Sequence, residues 1–280
     1  MNELILNDGN KIPILGFGTY KANESTGVQA VLDALASGYR LIDTAAKYEN
    51  EEAVGEAINK SGLSREEIIV TTKLWRENLG YKNTMAAFKE SLRKLQLDFI
   101  DLYLIHWPAN AKNYEDWQKT NADTWRAMEE LKEDGRIKSI GVSNFWQEHL
   151  EALFLTAKII PSVNQIEFHP GYWQPGLTEY CKKQNIVVES WSPLARGKVF
   201  GNEMLERIAK THNRSVSQVC LRWVIQHDVV VIPKSTTTER IKENINLFDF
   251  ELSAEEMKQI DNLPEMGFSG ELPNIWPDRV

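Results

Sequence analysis

The feature that most constrains this chain is an alternation. Apolar runs of strand length recur along it, and segments with helical start and stop signals separate them. Strand-like runs occupy residues 41–45, 68–74, 99–107, 137–144, 162–169, 186–194, 229–235 and, more weakly, 247–250. Among the helical segments, Gly38 stops GVQAVLDALAS, Asn50 precedes two glutamates as an N-cap, and Gly135 closes TWRAMEELKED. Ser215 and Gln218 read as a capping box in front of VCLRWVIQ. Upstream of all of these, LILNDGNKIPILG reads as a β-hairpin with Asp8-Gly9 as its two-residue turn. Eight strands alternating with helices predict a closed barrel of parallel strands, which typically needs about 250 residues. The chain has 280. The expectation is an α/β protein, one (β/α)8 barrel domain over residues 1–280 entered through an N-terminal β-hairpin. A doubly wound sheet would carry Gly-x-Gly-x-x-Gly between a strand and a helix; Gly16-Phe17-Gly18 lacks the third glycine and no helix follows at once.

Three of the apolar runs end on a charged or titratable side chain: Asp43, Lys73 and His106. Burying such groups is costly unless they are partnered, so the repetition needs a reason. In a parallel barrel the carboxyl ends of the strands converge on one face, where such folds keep their chemistry. Tyr48 lies five positions after Asp43 in the loop that follows its strand. Singly, each residue has an ordinary role open to it: a helix cap, a core histidine, a loop aromatic, a surface charge. Together on one barrel face they point to an enzyme.

Composition excludes some functions. A formal charge of −8 argues against a general binder of nucleic acid or anionic membranes. The N-terminus lacks a cationic stretch followed by an apolar one, and no apolar run nears the ~20 residues of a membrane span, so the expected location is the cytoplasm. Cys181 and Cys220 have no CxxC spacing and read as packed thiols in a reducing compartment. Glu167 and His169 end the fifth run without a third ligand at metal-site spacing, so no metal is expected.

GYRLIDTAAKYENEEAVGEAI, LDFIDLYLIHWP and IPKSTTTERIKEN resemble the three signatures of the aldo-keto reductase family, and VSNF, VNQIEFHP and WSPL occur in order. The resemblance spans essentially the whole chain. It implies a TIM barrel that reduces aldehydes and ketones with NADPH, sometimes NADH, and many such relatives are monomers. It also implies that Asp43, Tyr48, Lys73 and His106 are the catalytic tetrad.

The chemistry of the four residues agrees. Hydride transfer to a carbonyl leaves an alkoxide that needs a proton, and a tyrosine of ordinary pKa ~10 is poorly matched to neutral pH. Lys73 is expected to lower the Tyr48 pKa, Asp43 to keep Lys73 charged, and a neutral His106 to orient the carbonyl oxygen. Lys234, Ser235 and Arg240, after the seventh strand, suit the adenosine 2′-phosphate of NADPH. The resemblance places Glu243 and Asn244 at the adenine. Trp191 is expected to stack on the nicotinamide, with Ser143, Asn144 and Gln165 on its carboxamide. Thr19, Ser192, Leu194 and Thr236 complete the expected cofactor set. Tyr20, Trp75 and Trp107, with His106, would make an aromatic mouth for a small carbonyl substrate. Trp117, Trp125, Trp146 and Trp223 read as packing. Two other readings stay open: a barrel enzyme forming a Schiff base on Lys73, and a non-catalytic NADPH-binding relative. Residues 264–280, with Phe268 and Trp276, are expected to run as a tail across the surface.

Overall fold

The computed structural model describes residues 2–22 and 24–275, with only the backbone at Glu24 and Ser25; Trp276 and the rest of the expected tail lie outside the described residues. Strands β1 (Glu3–Ile5) and β2 (Lys11–Pro13) form the expected antiparallel hairpin. Its turn differs from the two-residue form. Leu6 N donates to Asn10 O at 2.8 Å and Gly9 N to Leu6 O at 3.0 Å, so Asn7, Asp8 and Gly9 make a three-residue loop. Gly9 sits at φ +86°, the left-handed position that such a loop requires.

Eight parallel strands follow: β3 (Phe17–Gly18), β4 (Leu41–Asp43), β5 (Ile69–Leu74), β6 (Ile100–Ile105), β7 (Ile137–Ser143), β8 (Val163–Glu167), β9 (Val187–Trp191) and β10 (Val230–Val231). Each pairs with its neighbour in sequence, from β3 to β10. The two outer strands also meet. Leu15 pairs in parallel with Val231, Gly16 N donates to Val231 O at 2.8 Å, and Gly18 N donates to Pro233 O at 3.0 Å. These bonds join the first strand to the last and close the (β/α)8 barrel.

The count of eight is met by a different eighth member. Residues 247–250 form no strand. Side chains of α8 (Val216–Gln226) take the backbone groups around this segment: Arg222 donates to Leu247 O at 3.2 Å, and Gln226 both donates to Leu252 O and accepts from Leu252 N. The missing strand is β3, two residues long and half glycine, too short to show a period. β10 is also shorter than the expected 229–235, since Pro233 has no N–H for the ladder.

Among the described residues ten α-helices wrap the outside; those that matter below are α2 (Glu51–Lys60) and α3 (Tyr81–Leu95). Ser215 and Gln218 form the expected capping box on α8. Asn50, the expected cap of α2, makes no capping bond. Its amide instead accepts from Thr44 Oγ1 at 2.8 Å and donates to Thr19 O and Ala22 O at 2.9 and 3.0 Å, tying the loop that carries Tyr48 to two strand ends.

Two apolar clusters result. The larger lies between strands and helices. The smaller contains only strand, strand-end and hairpin residues, among them Leu41, Leu102, Leu104, Val163, Val230 and Ile232, and is the barrel interior. Leu6 and Ile12 belong to it, so the hairpin plugs the amino-terminal end. Side chains alternate along a strand, so Asp43 shares a face with Leu41, His106 with Leu102 and Leu104, and Gln165 with Val163. The pleat that fills the interior also aims these polar groups at its carboxyl end.

α2 packs on α3 through Gly55. A Cβ there would lie 2.2 Å from Leu95 O, a backbone atom that cannot step aside. Gly55→Ala is therefore expected to destabilise the protein by about 1–3 kcal/mol in urea unfolding. Gly176→Ala, where a Cβ meets nothing within 4 Å, serves as control and should be neutral or slightly stabilising.

Candidate active site

Asp43 ends β4, Lys73 is the last residue but one of β5, His106 directly follows β6, and Tyr48 enters from the short 3-10 turn Ala46–Tyr48 after β4. Lys73 is fully buried. Its ammonium donates to Asp43 Oδ1 at 2.6 Å, Thr44 O at 2.9 Å and Tyr48 Oη at 3.4 Å, which uses all three N–H groups. Burial by itself would lower the Lys73 pKa, but Asp43 and Tyr48 outweigh it and the net direction is up. Burial raises the Asp43 carboxyl pKa against the pull of Lys73 and Gln165.

Tyr48 departs from expectation in one respect. Lys73 does pull its pKa down, yet burial is larger and Asp43 opposes, so the phenol is pushed up to about 12. At neutral pH the hydroxyl therefore carries its proton. The ring meets His106 edge-on with centroids 5.6 Å apart and lies 5.0 Å from Tyr20. His106 is buried, and that burial, with Lys73 nearby, holds its pKa well below the ordinary value, so the imidazole is neutral. Its Nδ1 is enclosed without a hydrogen-bond partner. Trp75 stands 5.3 Å from the His106 ring, half-buried, while Trp107 is buried and Tyr20 half-exposed. Tyr48, His106, Tyr20 and Trp75 are thus brought together.

Behind them, Gln165 Nε2 donates to Asp43 Oδ2 at 2.9 Å and to Glu189 Oε2 at 2.9 Å. Ser143 Oγ donates to Gln165 O at 2.8 Å, and Asn144 gives both amide protons to the protein, to His106 O and Ser143 Oγ, each at 3.0 Å. Trp191 Nε1 donates to Asn144 Oδ1 at 2.8 Å. This bond holds the half-exposed indole of Trp191 in one plane at the mouth, beside Ser192 and Leu194.

Past β10, Ser235 is buried and its hydroxyl accepts from Thr237 N at 3.0 Å. Lys234, Thr236 and Arg240 are exposed, Glu243 is half-buried and Asn244 buried. Burial and the neighbouring Lys21 both lower the Lys234 pKa. Among the described residues Lys21, Lys234 and Arg240 make no ion pair, although the chain is acidic overall. Lys21 and Lys234 lie close enough to repel, and neighbouring cations of this kind attract anions. Thr19 is buried with its hydroxyl unpartnered.

Sequence reasoning missed several of these groups. Glu189 is a charged residue inside an apolar strand, the same signal that singled out Asp43. Lys21 lies three positions past β3, a strand too short to read in the sequence, and so carried no signal. Glu167 accepts from Ser269 N at 3.0 Å and Ser269 Oγ at 2.7 Å, which anchors the tail across the end of β8. Phe268 stacks on Tyr172 at 4.5 Å, and Asn110 Nδ2 donates to Pro273 O at 2.9 Å. Trp125 and Trp223 are core residues, but Trp146, read as packing, lines a cleft with Asn144 and Trp191.

Among the described residues no helix is long and apolar enough to cross a membrane. The Aldo/keto reductase family model matches residues 14–265. Glyoxal reductase of Bacillus subtilis is 52% identical over 92% of this chain and 91% of its own length. Morphine 6-dehydrogenase of Pseudomonas putida is 44% identical over 92% of this chain and 90% of its own. A solved Gox0644 variant in complex with NADPH shares 41% identity, with TM-score 0.91 over 98% of this chain and 97% of that one. A barrel closed through β3 and β10, a buried lysine bridging a carboxylate and a phenol at its mouth, and relatives over nine-tenths of the length all lead to one conclusion: this chain belongs to the aldo/keto reductase family of oxidoreductases.

Proposed function

We propose that this protein reduces the carbonyl of small aldehydes, dicarbonyls or keto-sugars with NADPH, and that Tyr48 delivers the proton. The observation that carries this reading is the Lys73 ammonium, shared between Asp43 Oδ1 at 2.6 Å and Tyr48 Oη at 3.4 Å. Bound NADPH supplies the hydride. As negative charge develops on the substrate oxygen, Tyr48 Oη gives up its proton, and Lys73 stabilises the phenolate left behind. Asp43 keeps Lys73 charged throughout. His106, neutral, donates a hydrogen bond to the substrate oxygen and so orients it. The residues fit the cofactor: Trp191 offers a fixed indole face, and Lys21, Lys234 and Arg240 offer positive charge that no acid among the described residues pairs. The relative named glyoxal reductase supports small dicarbonyls as the first class to assay. A Schiff base on Lys73 would need a neutral amine, whereas its surroundings raise its pKa.

The test is loss of NADPH absorbance with glyoxal, methylglyoxal and a panel of simple aldehydes and ketones. In the same assay Arg240→Ala and Lys234→Met should each raise KM for NADPH about 10- to 100-fold, the worth of one charge-assisted hydrogen bond, and leave KM for NADH nearly unchanged. Equal losses for the two cofactors would remove the 2′-phosphate assignment. No turnover of any carbonyl, with NADPH bound, would remove the reductase reading.

A further inference from the structure

Among the described residues, Glu189 is a buried carboxyl at the barrel mouth that the proposed reduction leaves without a task. It lies on β9 between Val187 and Trp191, on the interior face, and is fully buried. Its neighbours on the flanking strands are Gln165 on β8 and Val230 on β10. The titratable groups facing it are Asp43 and Lys73, across the barrel on β4 and β5. Gln165 Nε2 stands between the two acids, 2.9 Å from Asp43 Oδ2 and 2.9 Å from Glu189 Oε2. Glu189 Oε1 is enclosed and has no hydrogen-bond partner.

These contacts pose a charge problem. Two carboxyl groups share one buried ammonium, whose three N–H groups go to Asp43, Thr44 and Tyr48. If both acids were ionised, the interior would hold one uncompensated negative charge, a large cost in a dry site. One of them therefore holds a proton. Asp43 touches Lys73 at 2.6 Å, while Glu189 reaches only an uncharged amide and leaves an oxygen bare. The proton belongs on Glu189.

The second consequence concerns the amide. The ionised Asp43 can only accept, so the nitrogen end of the Gln165 amide must face it; the second N–H reaches Glu189 Oε2, and Oε1 is turned away from both acids. No described residue donates to Oε1. We propose that Glu189 is a positioning residue: a neutral carboxylic acid that locks the Gln165 amide, presenting Oε1 to the carboxamide of the cofactor while leaving Asp43 as the sole counter-charge of Lys73. This rests on the assignment of Gln165 to the nicotinamide side made above.

Three readouts on the full-length protein test it. The first needs no cofactor. Burial and Asp43 push the Glu189 carboxyl up to about 8 from the ordinary 4.5. A raised folded-state value means that its contribution to stability is present below the unfolded value and lost as pH climbs towards 8. The Tm of Glu189→Gln relative to wild type should therefore rise steadily between about pH 5 and about pH 8. A difference that stays flat from about pH 5 to about pH 8 would mean a Glu189 already ionised and overturn the proposal. The second readout is the infrared carbonyl band of a protonated carboxylic acid at neutral pH, expected in wild type and lost in Glu189→Gln. A band of unchanged intensity would put the proton on another buried acid, Asp43 or Glu51, and also overturn it.

The third readout is NADPH affinity from quenching of tryptophan fluorescence. Glu189→Ala removes one of two anchors of the amide and should weaken NADPH about five- to tenfold, the worth of one hydrogen bond. Glu189→Gln keeps an acceptor at the same place and should recover most of that loss. Glu189→Ala binding like wild type, while Gln165→Ala binds weakly, would sink the role of Glu189 alone. Unchanged binding in Gln165→Ala would sink the assignment of Gln165 and the proposal with it.

Discussion

Tyr48→Phe should lower kcat for carbonyl reduction by about 10²- to 10⁴-fold, the usual contribution of a positioned general acid, and leave NADPH affinity within a few-fold of wild type. Only the hydroxyl is lost. The ring keeps its edge-on contact with His106 at 5.6 Å and its packing on Tyr20 at 5.0 Å, so the mouth retains its shape. Steady-state NADPH oxidation together with fluorescence titration of NADPH separates the two effects. A variant that retains a tenth or more of kcat would show that the proton comes from elsewhere. His106 would be an unsuitable replacement, since burial and Lys73 hold its imidazole neutral, with no second proton to give.

Lys73→Met carries the other large effect, and it falls on stability as well as activity. Removing the ammonium leaves the Asp43 carboxylate in the barrel interior with Gln165 Nε2 as its main remaining donor. Stranding a buried charge costs about 3–5 kcal/mol, read as a drop in the urea midpoint at constant m. Adding Asp43→Asn should return most of that loss, because the pair is then neutral on both sides. Activity should stay absent in the double variant, since nothing stabilises the Tyr48 phenolate. A Lys73→Met protein as stable as wild type would mean that Asp43 is already protonated, contrary to the charge assignment made for Glu189.

Much of this was legible beforehand, and the reason is local. A charged residue at the end of an apolar run is visible without coordinates, so Asp43, Lys73 and His106 could be read directly. Capping chemistry is equally local, as Ser215 and Gln218 show. What escaped depended on partners distant in sequence. Asn50 has the residue type and position of a helix cap, but its bonds go to Thr19, Ala22 and Thr44. The stretch 247–250 has a strand's composition and loses its backbone partners to α8, while β3 owes its existence to partners on both sides, β4 and the strand that ends the barrel.

Periodicity and polar punctuation determined the class of fold, the polar residues Asp43, Lys73 and His106 at strand ends and the basic stretch that follows β10, because each depends on spacing within a few residues. Closure of the barrel decided which segments are strands, since hydrogen bonding across a seam joins residues more than two hundred positions apart. Electrostatics inside that closed space decided the rest. Burial, absent from any one-dimensional reading, outweighs Lys73 and pushes the Tyr48 phenol up to about 12. It also turns Glu189 from one glutamate among many into the group that settles where the shared proton resides.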